Sequence, residues 1–133
     1  MTHTPPTTTE RLRDEAELLE RWQSYAMRKL LEQARESANN DHDLDAATAA
    51  LARIRHTTAL EALEANRNLV AMLTGRRWYV MRDARESGAS WPEVATAVGM
   101  SRQGAYDWYR RKIREQEDHV PEHHDAERAR AAL

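Results

Sequence analysis

The sequence predicts an all-α fold, in which a long N-terminal helical region, hairpin-like or coiled-coil-like, precedes a compact three-helix unit. Apolar residues recur three and four positions apart over most of the chain, which is the spacing of one face of a helix. Alternating β-branched residues and Asn-Gly turns are absent, so the pattern gives no support for strands. Only four Gly and four Pro occur in 133 residues, and both residue types disfavour helix interiors.

The first 37 residues divide into a short lead-in and a long helix. Residues 1–9 are rich in Thr and Pro and are expected to be disordered. A helical pattern then runs from Glu10 to about Ser37. One apolar stripe of this helix consists of Leu12, Ala16, Leu19, Ala26 and Leu30, and Leu18, Trp22 and Tyr25 lie beside it. The two sets form a broad apolar face, wider than the seam of a single helix pair requires.

A second helical segment is predicted between a polar turn at residues 37–43 and Gly75. Asn and Asp favour turns and caps, so Asp41 or Asp43 is predicted to cap a helix that starts near residue 44. The apolar positions of this segment are Leu44, Ala47, Leu51, Ile54, Leu60, Leu63, Val70 and Leu73. The β-branched pair at residues 57–58 indicates either a kink or a boundary between two helices, and the sequence leaves both open.

Residues 75–116 are predicted to form the three-helix unit. Gly75 ends the preceding segment, residues 76–87 form the leading helix, and Gly88 ends that helix. Trp78, Met81 and either Ala84 or Arg85 are predicted to pack on the two helices that follow. A unit of this size buries little surface, so its core is expected to be filled by the tryptophans at positions 78, 91 and 108.

Residues 90–111, SWPEVATAVGMSRQGAYDWYRR, predict two short helices joined by a tight turn. Ser90 is suited to be an N-cap, with Pro92 in the first turn and Glu93 three residues after the cap. Gly99 supplies a left-handed residue for the turn, and Ser101 caps the second helix. The predicted inner positions are Val94, Ala95 and Val98 in the first helix, and Ala105, Trp108 and Tyr109 in the second.

This order of residue types resembles the helix-turn-helix DNA-binding motif. Ala95 stands where the two helices of that motif cross most closely, and Gly99 follows four residues later at the turn. Residues 101–103, SRQ, are similar to the start of the recognition helix in small bacterial or phage regulators and in the promoter-reading region of sigma factors. The resemblance implies sequence-specific binding of double-stranded DNA, with a recognition helix at about 101–112 in the major groove. Gly104 departs from the pattern, because glycine inside a helix costs about 1 kcal/mol relative to alanine.

The outer face of the second helix carries the candidate base contacts. Arg102 and Gln103 are the best base readers, since arginine pairs with guanine and glutamine with adenine. Ser101, together with the helix N-terminus, is suited to hold a phosphate. Tyr106 is suited to a thymine methyl group or a phosphate. The whole predicted DNA-binding set is Ser101, Arg102, Gln103, Tyr106, Asp107, Arg110, Arg111, Arg76 and Arg77.

The charge distribution favours the same part of the chain. The net charge is −2, but residues 76–115 hold nine Arg or Lys and five Asp or Glu, which leaves +4 there and −6 elsewhere. DNA binding needs a positive face, not a positive total. Arg76, Arg77 and Arg111 are predicted to contact backbone phosphates. Asp107 repels phosphate, so it is predicted either to accept from cytosine or to orient Arg110 or Arg111.

The broad apolar faces of the N-terminal region predict a homodimer through residues 10–73. Regulators with this motif act as dimers on half-sites about 34 Å apart, which the two DNA-binding units of a dimer would reach. The alternative is that these helices fold back and cover one another within one chain. Two other classes of function stay open: an adaptor that binds a protein partner through the acidic helical region, and a DNA-organising or segregation protein that binds arrayed sites.

Other chemistry has little support in the sequence. Residues 117–133 form an acidic tail in which His119 and His123 have the spacing of paired metal ligands, but Pro121 between them argues against a continuous helix. No metal or cofactor is expected. A Gly-rich phosphate loop and a nucleophile–base arrangement are both missing, so an enzyme is not expected. No long apolar run occurs, so no membrane association is expected. The absence of Cys fits a reducing cytoplasm, and the resemblance to DNA-binding regulators implies association with the nucleoid.

Overall fold

The computed structural model describes residues 7–133 and is all-α, as predicted. No strand occurs among these residues. The helices are α1 (Thr8–Glu36), α2 (Asp41–Arg53), α3 (Ala59–Glu86), α4 (Trp91–Val98), α5 (Arg102–His119) and α6 (Ala126–Ala131), with a short 3₁₀ turn at Pro121–His123. The chain divides into two compact units between Met72 and Leu73, here called the N-terminal unit and the C-terminal unit.

Helix α1 begins two residues earlier than the sequence predicts. The Thr7 hydroxyl accepts a hydrogen bond from the backbone N–H of Glu10, and the Glu10 carboxylate accepts one from the backbone N–H of Thr7. This reciprocal cap satisfies two donors that a helix start otherwise leaves unpaired. Within the predicted lead-in, residues 1–6 lie outside the described residues, whereas residues 7–9 form the cap and first turn of α1.

Helix α2 is capped by Asn40, so the prediction of Asp41 or Asp43 was wrong. The Asn40 side-chain oxygen accepts from the backbone N–H of Asp43 at 2.8 Å, and its amide donates to the Asp43 carboxylate at 2.8 Å. The two aspartates instead occupy the first turn, where negative charge favours the positive end of the helix dipole.

Residues 54–58 separate α2 from α3, which makes Thr57–Thr58 a boundary between two helices. The Thr58 hydroxyl accepts from the backbone N–H of Glu61 and donates to the Glu61 carboxylate. Thr58 therefore caps the start of α3. These hydrogen bonds, from the side chain first and the backbone second, hold the pKa of Glu61 below its ordinary value.

Gly75 lies inside α3, so the predicted break at that position was wrong. The helix continues from Ala59 to Glu86, and Arg76 and Arg77 lie within it. A Cβ atom at Gly75 would meet nothing within 4 Å, so no turn or close approach requires glycine there. A single interior glycine costs only about 1 kcal/mol, which a long run of helix-forming residues outweighs.

The C-terminal unit has one hydrophobic core, to which α6 contributes. Its buried members are Met81, Trp91, Val94, Ala95, Ala105, Tyr109, Ile113, Ala129 and Ala132. Residues 117–133 were predicted as a tail, but α5 continues to His119 and the segment after Pro121 returns to the core. The reason is the small size of two buried residues, Ala129 in α6 and Ala132 directly after it, which lets this segment lie close against the other helices.

Candidate nucleic-acid interface

Helices α4 and α5 are joined by a three-residue turn whose ends are both capped as predicted. The Ser90 hydroxyl accepts from the backbone N–H of Glu93, and the Glu93 carboxylate accepts from the backbone N–H of Ser90. Hydrogen bonds to the Glu93 carboxylate, from the Ser90 hydroxyl first and the Ser90 backbone N–H second, hold the pKa of Glu93 below its ordinary value. Gly99 has φ +70° and ψ +32°, the left-handed conformation that ends α4. The Ser101 hydroxyl then accepts from the backbone N–H of Gly104 at 3.0 Å and starts α5.

Small buried residues let α4 and α5 pack closely. Ala95 and Ala105 are both fully buried, as the sequence predicts. In α5, however, the large buried side chain is Tyr109, and Trp108 is only half-buried. The Tyr109 ring packs against Trp91 with 5.5 Å between the ring centroids, and its hydroxyl donates to the Ala129 carbonyl at 2.6 Å. The start of α5 therefore rests on a fixed core.

The predicted contact residues at the start of α5 lie on its solvent-exposed side. The exposed members of the set are Ser101, Arg102, Gln103, Asp107, Arg110 and Arg111. Tyr106 is half-buried and packs edge-on against Trp91, with ring centroids 5.4 Å apart. Its main contact is thus with the core, and at most its edge remains for a ligand.

Two members of the set are joined to each other. The Gln103 side-chain amide donates to Oδ1 of Asp107 at 2.9 Å, one helical turn later. Asp107 was predicted either to accept from cytosine or to orient Arg110 or Arg111. The structure pairs it with Gln103, so the orienting role toward the two arginines was wrong. An amide nitrogen carries two N–H donors. One donor and the carbonyl oxygen of Gln103 therefore remain for a partner.

Three arginines of the set have side chains that are not engaged within the protein. Arg102, Arg110 and Arg111 make no side-chain hydrogen bond or ion pair with any of residues 7–133. Other arginines of the unit are used internally: Arg128 pairs with Glu86 at 2.7 Å, and Arg130 with Glu117 at 2.8 Å. The exposed side of α5 therefore keeps positive charge that the fold itself does not neutralise.

The predicted phosphate contacts on α3 have a different environment. Arg77 lies over the Trp108 ring, 5.4 Å from its centroid, and Lys112 lies over the same ring at 5.6 Å. Arg76 is half-buried and has interactions within the protein. Trp108 was predicted from the sequence to be a core residue, and this cation–π cluster was not predicted. Only the spacing of Trp108 and Lys112, one turn apart, signalled part of it.

The last residues of the chain fix α3 and α4 through main-chain carbonyl groups. Arg85 donates to the Ala132 carbonyl at 2.9 Å and to the Ala89 carbonyl at 2.8 Å. The Trp91 indole N–H donates to the Leu133 carbonyl at 3.3 Å. Sequence patterns do not reveal such contacts, since the acceptors are backbone atoms. They hold α4, and with it the turn, in a defined position.

A cluster of metal ligands and a membrane-spanning helix are both absent from residues 7–133. No group of three or more His, Cys, Asp or Glu side chains in this part of the chain is arranged to hold a metal ion. His124 instead packs against Trp78, with ring centroids 5.1 Å apart. None of the described helices is long and apolar enough to span a membrane.

Comparison with known proteins gives no match to a family model, to a curated protein or to a solved structure. The interpretation of the C-terminal unit therefore depends on its own geometry and chemistry.

Proposed function

We propose that the protein is a dimeric regulator that binds double-stranded DNA sequence-specifically, with the start of α5 in the major groove. The observation that carries the proposal is the exposed side of α5, where Arg102 and Gln103 stand next to a capped helix start on a fixed core. Side chains at the start of a recognition helix reach base edges in this mode of binding. The proposal assigns no catalytic reaction and no cofactor to the chain.

Arg102 and Gln103 are assigned as the base readers. A guanidinium group binds the two acceptors of guanine, and a carboxamide binds the donor and acceptor of adenine. Gln103 keeps one N–H and its carbonyl oxygen for adenine, while its other N–H is held by Asp107. Asp107 is thus assigned as a positioning residue, whose role is to orient the Gln103 amide.

Contacts to the phosphate backbone are assigned to the remaining cations. Arg110 and Arg111 are exposed and have no ion-pair partner among residues 7–133. Ser101 and the N-terminus of α5 favour a phosphate through backbone N–H groups. Arg76 and Arg77 are assigned weaker roles, because Arg77 lies over Trp108 and Arg76 is half-buried.

The dimer is assigned to the N-terminal unit, within residues 10–73. Large apolar side chains there remain exposed in the single chain: Leu12, Leu19, Trp22, Met27, Leu30, Leu44, Leu60, Leu63 and Val70. A set of this size typically marks an interaction surface. Two copies would carry two DNA-binding units, so the DNA site is expected to be an inverted repeat. Such a protein would act in the cytoplasm, at the nucleoid.

Selection of binding sites from random duplex DNA tests the proposal. The wild type should enrich an inverted repeat, and Arg102→Ala should lose or relax one position of each half-site. Arg53→Ala is the matched control, since Arg53 is an exposed arginine at the end of α2. Enrichment of no sequence, with binding that depends on salt alone, would overturn the proposal. Cooperative filling of repeated sites would instead favour a DNA-organising or segregation protein.

A second candidate function is a protein-binding adaptor. It is favoured by the N-terminal unit, which combines exposed apolar side chains with an excess of acidic residues. The test is whether the full-length protein loses binding to a protein partner when Leu60 and Leu63 are changed to Glu, while DNA binding is unaffected. If binding of the protein partner requires Arg102 and does not require these leucines, the adaptor function is rejected.

A further inference from the structure

Helix α1 carries a continuous exposed stripe in which apolar residues predominate. The stripe consists of Leu12, Ala16, Leu19, Gln23, Ala26 and Leu30, all of which are exposed. Leu12 and Leu30 at its ends are each 60% exposed, and Leu19 is 42% exposed. Trp22 and Met27 flank the stripe and are also exposed, and with the part of the stripe from Ala16 to Leu30 they line an apolar groove.

The opposite side of α1 is the side that packs within the N-terminal unit. Ser24 is buried there, and Arg28 donates to the Leu51 carbonyl of α2 at 3.4 Å. Arg21 lies nine residues from both Leu12 and Leu30, which is two and a half helical turns and therefore the opposite face. The more polar face of α1 is thus covered, while its apolar stripe faces solvent. A helix arranged in this way needs a partner for the stripe.

The spacing of the stripe identifies the partner as another helix. Its positions are separated by four, three, four, three and four residues, which is the repeat of a coiled-coil seam. A seam of this spacing buries its residues between two helices in knobs-into-holes packing. Gln23 is the single polar residue of the seam, and one such residue typically fixes the register of a coiled coil.

The order of residues in the stripe favours an antiparallel pair. Around residue 21 the stripe is nearly symmetric, because Leu12 and Leu30 are equally distant from it, and so are Ala16 and Ala26. Two antiparallel copies therefore place leucine against leucine at both ends, alanine against alanine inside them, and Leu19 against Gln23 at the centre. A parallel pair would also align like residues, so the symmetry alone does not choose between the two orientations.

The charges of α1 make that choice. Residues 8–20 have a net charge of −3, and residues 21–36 have a net charge of +2. An antiparallel pair sets the acidic half of each helix against the basic half of the other. A parallel pair would set like charges together along the whole length, which is unfavourable between neighbouring helices.

We infer that α1 pairs with α1 of a second copy in antiparallel orientation through the stripe from Leu12 to Leu30. The inference rests on the dimer in the proposed function and specifies its face and direction. It is independent of how the DNA is read, because the stripe contains none of the residues assigned to DNA.

Disulfide cross-linking tests the orientation, since the natural chain has no cysteine. Leu12→Cys and Leu30→Cys are made as separate full-length variants, one of them with a short extension so that the dimers differ in size. After mixing and oxidation, the antiparallel pair predicts a cross-link between the two variants. Each variant oxidised alone should stay at least tenfold less cross-linked. Arg67→Cys, exposed on α3 and outside the apolar set, is the control and should join neither.

Other outcomes would overturn the inference. Efficient cross-linking of each single variant with itself indicates a parallel pair. Cross-linking of Leu12→Cys to Leu63→Cys indicates that α3 of the second copy covers the stripe. As a second measurement, Leu12→Glu with Leu30→Glu should raise the dimer dissociation constant by at least tenfold in sedimentation equilibrium, whereas Arg67→Glu, exposed on α3, should not.

The two proposals fail in distinguishable ways. If the wild-type protein is monomeric at tens of micromolar, then both the dimer and this inference are wrong, whether or not it binds DNA. If it dimerises through another face and still enriches an inverted repeat, then only the inference is wrong. If the predicted cross-link forms but no DNA sequence is enriched, the DNA-binding proposal fails and the antiparallel pair stands.

Discussion

The Gln103 side-chain amide donates to Oδ1 of Asp107 at 2.9 Å across one turn of α5. An ionised carboxylate only accepts hydrogen bonds, so the nitrogen of the Gln103 amide must face Asp107. This fixes which end of the amide is the donor side and which is the acceptor side. A glutamine oriented in this way presents a defined pattern to a base edge instead of two interchangeable ones.

We expect Asp107→Ala to relax the base preference that Gln103 creates. Without the carboxylate the Gln103 amide can flip, which exchanges the positions of its N–H donors and its oxygen acceptor. Discrimination between bases at one base pair should then fall by about 1–3 kcal/mol. The measurement is the relative affinity for four duplexes that differ at that base pair. Asp107→Asn is the matched control, because it removes the charge but keeps an oxygen acceptor. If Asp107→Ala changes affinity equally for all four duplexes, Asp107 acts only through its charge.

Arg111→Gln is expected to weaken DNA binding equally for all sequences. Arg111 is exposed and assigned to a phosphate, and each lost phosphate contact lowers the slope of log affinity against log salt by about 0.9. Titration of one duplex at several salt concentrations measures this slope. Arg53→Gln, in the N-terminal unit, should leave it unchanged. A loss confined to particular base sequences would instead make Arg111 a base reader.

The effect of Gly104→Ala is expected to depend on Ser101. A Cβ at position 104 would lie 2.9 Å from the Ser101 hydroxyl oxygen, which caps α5. The gain in helix propensity, about 1 kcal/mol, is then offset by a disturbed cap, which is also worth about 1 kcal/mol. In a Ser101→Gly background the obstacle is absent, so Gly104→Ala should stabilise by about 1 kcal/mol. Urea unfolding of the wild type, the two single variants and the double variant measures the free energy of unfolding. If Gly104→Ala changes this free energy equally in both backgrounds, the explanation is contradicted.

Alkaline pH should destabilise the protein through Tyr109. Burial raises the pKa of Tyr109 from about 10 to about 12, so the phenol ionises more readily in the unfolded chain. Between these two pKa values the unfolded state has lost a proton that the folded state keeps. The free energy of unfolding should therefore fall by up to about 1.4 kcal/mol per pH unit as pH rises through this window.

Tyr109→Phe isolates this contribution. The variant should be less stable at neutral pH by about 1–3 kcal/mol, because the buried Ala129 carbonyl loses its hydrogen-bond donor. Its stability should also decline less between pH 10 and pH 12 than that of the wild type. Parallel pH profiles in the two proteins would show that Tyr109 ionises equally in both states.

Local capping rules predicted the turn between α4 and α5 well. Ser90, Glu93, Gly99 and Ser101 act as expected because caps depend on residues within four positions along the chain. The wrong prediction for the cap of α2 came from competition between neighbouring residues that can each cap a helix. Asn40 caps α2 in place of the two aspartates, since its amide both donates and accepts.

Long-range packing explains most of what the sequence could not supply. Trp108 and Tyr109 are adjacent, and Tyr109 is the buried one because it packs against Trp91 of α4 and Ala129 of α6. The side of α1 that packs on α2 was likewise not deducible, because the apolar stripe suggested the opposite face. The exposed set on α5 was predictable, since helical periodicity alone places those residues away from the core.

The carbonyl groups of Ala129, Ala132 and Leu133 accept bonds from Tyr109, Arg85 and Trp91. Every residue type has the same backbone carbonyl. Selection would therefore constrain the donor side chains and keep the side chains of Ala129 and Ala132 small, but it would not require one particular residue type at an acceptor position. In an alignment of relatives, these contacts would leave no pairwise covariation. Evolutionary coupling methods would then detect α6 and the residues after it only through side-chain pairs such as Arg128 with Glu86 and Arg130 with Glu117, and would miss these three hydrogen bonds.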